Sequence, residues 1–231
     1  MSGSRCLSAV IVASLAAPLA ACGGARGPDA GAAQRAVGHR LYWVGSSFEG
    51  LPLTAITRRF GLTTFVYGSC KPAGRNESCA PPLEISVASI CDRNALAIDP
   101  MPRARFRARG VPVLDYGEWR LELAAGASQV VVSAAPDRAR RAIAGLRAVG
   151  EEGVRGDLPE PRYPRYYLGA LRRVNDAYAR TGSLRAVRDE LGISRSAVRF
   201  RLALGRELGA ARLRLGANEP RRHACVLEPA R

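Results

Sequence analysis

Leu83-Glu-Ile-Ser-Val-Ala-Ser-Ile90 sets Leu83, Ile85 and Val87 against Glu84 and Ser86. The period is two, so the segment reads as a β-strand with one face on a core. Thr63-Thr-Phe-Val-Tyr67, β-branched and aromatic, supplies a second strand upstream, and residues 41–44 a short third. Residues 53–60 suit a short helix or a strand. Downstream, the Pro- and Arg-rich stretch 99–112 reads as a loop, and 113–116, 119–123 and 129–133 read as strands. Glu122-Leu-Ala-Ala-Gly-Ala-Ser128 supplies the turn between the last two. Pro136-Asp137 then opens a helix: proline suits the first turn and an early acid suits the dipole. Ala139, Ala142, Ile143 and Leu146 share one face of it, and Gly150 or Gly153 ends it. Residues 39–150 thus form a small α+β domain with a mixed sheet.

Residues 151–164 hold Gly153, Gly156, Pro159, Pro161 and Pro164 and read as a linker. Beyond it the chain becomes helical and basic over 165–215, with 216–231 as a tail. From Arg162 to Arg222 there are 15 arginines against 5 acids. The whole chain of 231 residues carries a net charge of +15 with a single lysine, Lys71. Such an excess favours anionic surfaces: lipid headgroups, wall polymers or nucleic acid.

Leu168, Leu171, Val174 and Tyr178 mark one face of a first basic-region helix, which Thr181-Gly182 breaks. Ser183 caps a second helix over 184–191; Gly192-Ile193 turns the chain; Ser194 caps a third running to Leu208. Leu184, Val187, Leu191, Ile193, Val198 and Leu202 are placed to form a small core. Ser183-Leu-Arg-Ala-Val-Arg-Asp-Glu-Leu-Gly-Ile-Ser-Arg-Ser-Ala-Val-Arg-Phe-Arg-Leu202 resembles bacterial helix-turn-helix DNA-binding segments. The resemblance implies that Ser194, Arg195, Ser196 and Arg199 face a major groove or its phosphates. It departs at Arg188, where the family carries a small residue four positions before the turn glycine.

At the other end, Arg5 precedes an apolar run over 6–18 that is too short for a spanning helix. The run leads into Leu19-Ala-Ala-Cys22, which resembles the lipobox of bacterial lipoproteins. That resemblance implies a signal peptide over 1–21, cleavage before Cys22, and a diacylglyceryl (palmitate-bearing) thioether on Cys22. It places the protein at the cell membrane, lipid-anchored on the extracytoplasmic face. Residues 22–38, rich in Gly and Ala, read as a flexible tether.

Six cysteines are present. Cys6 leaves with the signal and Cys22 takes the lipid, so Cys70, Cys79, Cys91 and Cys225 remain, an even number in an exported chain. Cys70 and Cys79 bracket a polar loop and make a natural pair; Cys91 with Cys225 follows by elimination. The spacings do not suit a metal, and the only histidines, His39 and His223, lie far apart. No Gly-x-Ser-x-Gly, phosphate loop or His-Glu-x-x-His occurs. Ser46, Ser47, Glu49, Asp92, Asp99, Asp115 and Glu118 read as turn and surface residues. The expectation is a non-enzymatic envelope lipoprotein, without cofactor or metal, that binds or scaffolds. Its partners are the membrane, through the anchor, and anionic lipid or wall polymer. A DNA-binding regulator is the alternative if residues 1–21 are not a signal.

Overall fold

A computed structural model describes residues 27–69, 80–91, 102, 104–117, 119–153, 156–216 and 225–227. The elements in chain order are α1 (Ala30–Arg35), β1 (Tyr42–Trp43), β2 (Ser47–Phe48), β3 (Leu51–Arg59), β4 (Leu62–Tyr67) and β5 (Leu83–Ser89). There follow β6 (Ala104–Ala108), β7 (Val111–Asp115), β8 (Arg120–Ala125), β9 (Ser128–Ala134), α2 (Pro136–Gly145) and β10 (Arg147–Ala148). Helices α3 (Arg165–Thr181), α4 (Leu184–Leu191) and α5 (Arg195–Arg214) complete the order.

The fold is α+β, and its main sheet has eight strands in the order β2-β3-β4-β5-β9-β8-β7-β6. Two meanders, β2–β5 and β6–β9, meet where β5 pairs with β9. Every pairing is antiparallel, so the expected mixed sheet is corrected. The cause is local for β2–β3–β4 and for β6–β7–β8–β9, whose short turns can join only antiparallel neighbours. Residues 53–60, left open between helix and strand, lie mainly in β3. The stretch expected to be a loop over 99–112 contains β6. Its Arg105 and Arg107 sit on an edge strand that alternates between exposed and half-buried, which hides the strand signal. The expected turn over 122–128 is strand as far as Ala125, and the reversal falls at Gly126-Ala127.

One face of the sheet is apolar from β4 to β7. Phe65, Tyr67, Leu83, Ile85, Val87, Val130, Val132, Leu121, Leu123, Val111 and Val113 are buried there. Ala139, Ala142, Ile143 and Leu146 of α2 and its exit close over it. The Tyr67 hydroxyl donates to the Gly45 carbonyl at 3.0 Å and accepts from the Val44 amide at 3.3 Å, fixing the loop after β1 on this core. Helix α2 ends at Gly145, ahead of Gly150 and Gly153, because β10 must pair with β1. Ala30, Ala33 and Val37 also pack on this cluster. Part of the segment expected to be a flexible tether is therefore an ordered helix, capped by the Asp29 carboxylate, which accepts from the Ala32 amide at 2.9 Å.

The opposite face carries Thr64, Ser86, Gln129, Glu122 and Ala124, and α3 and α5 cover it near β7 and β8. Tyr163, Tyr167, Leu168, Phe200 and Leu204 pack there with Leu114, Ala124 and Ile90. Of the segment expected to link the two parts, residues 156–164 lie against the sheet. Leu158 is buried, the Gly126 amide donates to the Pro159 carbonyl, and the Arg162 amide donates to the Gly126 carbonyl. Buried Arg212 of α5 donates to the Pro161 carbonyl at 2.6 Å and to Glu160 at 2.7 Å, tying strap to helix. Helix α5 is interrupted at Gly209, whose φ is 80°.

Candidate anionic-ligand interface

The three C-terminal helices share a core of their own. Val174, Ala177, Val187, Val198 and Leu202 are buried in it, with Tyr178, Leu184, Leu191 and Ile193 around the edge. Two left-handed glycines set the path. Gly182 and Gly192, both at φ 63°, end α3 and α4, and their amides donate back to the Tyr178 and Arg188 carbonyls. At these two positions an L side chain would be strained. The serine after each break caps the next helix. Ser183 accepts from the Ala186 amide at 3.3 Å and Ser194 from the Ala197 amide at 3.1 Å.

Ser194, Arg195, Ser196 and Arg199 lie together and exposed at the start of α5. The hydroxyls of Ser194 and Ser196 are 3.0 Å apart. Beside them lies a shallow cleft of about 660 Å³ lined by Tyr178, Gly182, Ser183, Leu184, Arg185, Arg188 and Arg195. Arg185 and Arg188 are site residues that sequence reasoning did not assign. Arg188 is the residue that departs from the helix-turn-helix pattern. It does not enter the small core: its guanidinium pairs with Asp189 at 2.5 Å and is half exposed. Arg185 reaches the same Asp189 at 3.9 Å. One carboxylate therefore serves two guanidiniums, and Arg195 and Arg199 add two further charges. The positive ends of the α4 and α5 dipoles reinforce that field. The surface can hold phosphate or carboxylate oxygens on planar guanidinium donors.

A second polar cluster lies between sheet and helices. Glu122 is buried on β8. It accepts from the Gln129 amide, and its other oxygen takes Arg120 at 3.0 Å. Burial pushes its carboxyl above the usual carboxylate range, against the pull of Arg120 and Gln129. Tyr116, Tyr163 and Tyr167 wall the same space with Phe200 and Leu204, enclosing a cavity of about 40 Å³. Burial raises the phenols of Tyr116 and Tyr167 beyond their ordinary value. Since one water needs about 10–15 Å³, this space has room for a few waters.

Cys91 and Cys225 are within bonding distance, with Cα atoms 5.6 Å apart, which suits a disulfide. The link would join the end of β5 to the tail, where the Arg165 amide donates to the Val226 carbonyl at 2.9 Å and Leu227 bridges to Pro164. Cys22, Cys70 and Cys79 lie outside the described residues, as do the signal and lipobox. Among the described residues no three His, Cys, Asp or Glu side chains gather as a metal site, and no helix is long and apolar enough to cross a membrane. The chain matches no protein-family model, no curated protein and no solved structure.

Proposed function

We propose that this is a lipid-anchored protein of the extracytoplasmic membrane face whose basic three-helix surface binds a phosphate-bearing polymer of the cell envelope. The observation that carries the binding half is the arginine-lined cleft at the starts of α4 and α5. Its position supports a polymer over the anchoring bilayer. Helix α1, which receives the chain from Cys22, packs on the α2-covered face of the sheet, whereas α3 and α5 pack on the other. Helix α4 rests on α3 and α5, so the cleft lies outward of the helix layer that covers the sheet. Export is supported by the lipobox-like quartet and by the geometry of Cys91 and Cys225.

Binding of the purified full chain to poly(glycerol phosphate) tests the reading. Replacing Arg185, Arg188 and Arg195 together by alanine should weaken it at least about tenfold, with a shallower salt dependence, as expected when charged contacts are removed. Equal affinity of the triple variant would overturn the proposed surface. Cys22→Ala should abolish lipid labelling and release the protein from membranes; unchanged retention would remove the anchor. A helix-turn-helix regulator is the second reading. It is favoured by the left-handed turn at Gly192 and by the exposure of Ser196 and Arg199 along one side of α5. Salt-dependent duplex binding weakened by Arg199→Ala, from a chain that keeps residues 1–21, would select it.

A further inference from the structure

We propose that the tip of the β3–β4 hairpin, Arg58-Arg59-Phe60-Gly61-Leu62, is a second membrane contact: Phe60 and Leu62 enter the headgroup layer of an anionic bilayer while Arg58 and Arg59 sit against its phosphates. Phe60 is 92 % exposed and Leu62 38 %, the former the most exposed large apolar side chain of the described residues. Phe60 also occupies a costly backbone position. Strand register places Arg59 opposite Leu62, so Phe60 and Gly61 are the two central residues of the turn, at φ 50° and 80°. That conformation favours asparagine or aspartate before the glycine and strains a bulky residue. A wet aromatic ring on a strained backbone, packed on nothing among the described residues, points to a partner outside the fold.

Two observations identify that partner as lipid. Arg58 and Arg59 are both exposed and flank the ring, and no acid within 4 Å pairs with either among the described residues. An apolar tip with cationic shoulders matches the boundary of an anionic bilayer. The second observation is chain length. Pro28 and Asp29 line a shallow depression together with Thr54, Ala55, Ile56, Thr57 and Arg58, so the chain departs for Cys22 from beside β3. Pro28 is the sixth residue after Cys22, and that length spans at most about 22 Å. An acylated Cys22 therefore keeps this edge of the sheet close to the membrane. The proposal rests on the anchor reading for this geometry.

The test uses the mature acylated protein in phosphatidylcholine–phosphatidylglycerol vesicles. Phe60→Trp adds a reporter at the tip, and the unsubstituted protein supplies the Trp43 and Trp119 background. The anchor retains every variant, so the readout is the depth of residue 60 rather than binding. Bromines about 5–10 Å into the boundary should quench the added tryptophan and shield it from aqueous iodide. Arg58→Glu with Arg59→Glu, or vesicles of phosphatidylcholine alone, should lose most of that quenching. Full iodide access on anionic vesicles would overturn the proposal. So would protection that follows protein concentration instead of lipid, which would mark a contact between copies of the chain. Intact mass reads acylation separately. If Cys22 carries no lipid, the anchor reading fails alone, and anionic-lipid-dependent protection of the same chain added from solution still decides the tip.

Discussion

The two faces of the sheet are built on opposite rules. The α2 face is closed largely by apolar side chains: Phe65, Ile85, Val87, Val130 and Val132 are fully buried in register across neighbouring strands. The other face is partly wet and partly polar. Thr64 and Ser86 hydroxyls meet across β4 and β5 at 2.8 Å, and the covered portion includes Glu122 and Gln129. The helices on that face bring their own small core, so they depend less on the sheet for burial. One face is built for apolar burial; the other joins a polar sheet surface to the helix layer.

The largest effect should come from the apolar face. Phe65→Ala removes a fully buried ring whose centroid lies 6.0 Å from that of Trp43, and should cost about 3–5 kcal/mol in urea unfolding. Ser86→Ala, on the other face, should stay within about 1 kcal/mol. Equal losses would erase the contrast.

That contrast also explains what the sequence reveals. Strand β5 and its neighbours were legible because one face is apolar at every second residue. Helices α3 to α5 were legible because Ser183, Ser194 and the two turn glycines punctuate them. Strand β6 was not: Ala104-Arg-Phe-Arg-Ala108 alternates, but its alternate positions are only exposed or half-buried, and its arginines read with the Pro- and Arg-rich loop around them. Glu122 falls in both the strand expected over 119–123 and the turn expected over 122–128, and only β9 and the helix layer make its burial intelligible. At the candidate site, Ser194, Arg195, Ser196 and Arg199 fall within one six-residue stretch and could be read directly. Arg185 and Arg188 join them only through the packing of α4 on α5, which no spacing rule encodes.

The next effect tests how firmly the helical module is held. Cys91 and Cys225 are 134 residues apart. Cys225→Ser should cost about 2–4 kcal/mol under oxidising conditions, by relaxing the unfolded chain. It should also speed hydrogen exchange at the Arg165 amide, which donates to Val226. A reductant should bring the unaltered protein to the same midpoint. A midpoint that ignores both reductant and substitution would show that tail and sheet are not clamped together.

The smallest effect is the most particular to the polar face. Burial raises the Glu122 carboxyl above its ordinary value of 4.5, so the folded state holds a proton that the unfolded chain has already released. The stability this contributes is present below the ordinary value and is lost as pH rises through the raised one. Glu122→Gln keeps an acceptor for the Gln129 amide and cannot ionise. At neutral pH it should lie within about 1 kcal/mol of the unaltered protein. Its advantage should grow with pH above the ordinary carboxylate range and vanish below it. Parallel stability curves from acid to neutral pH would mean that Arg120, half exposed at the rim and 3.0 Å from the carboxylate, offsets the burial completely. The polar face would then cost the fold nothing, and its acid would need no explanation beyond the ion pair.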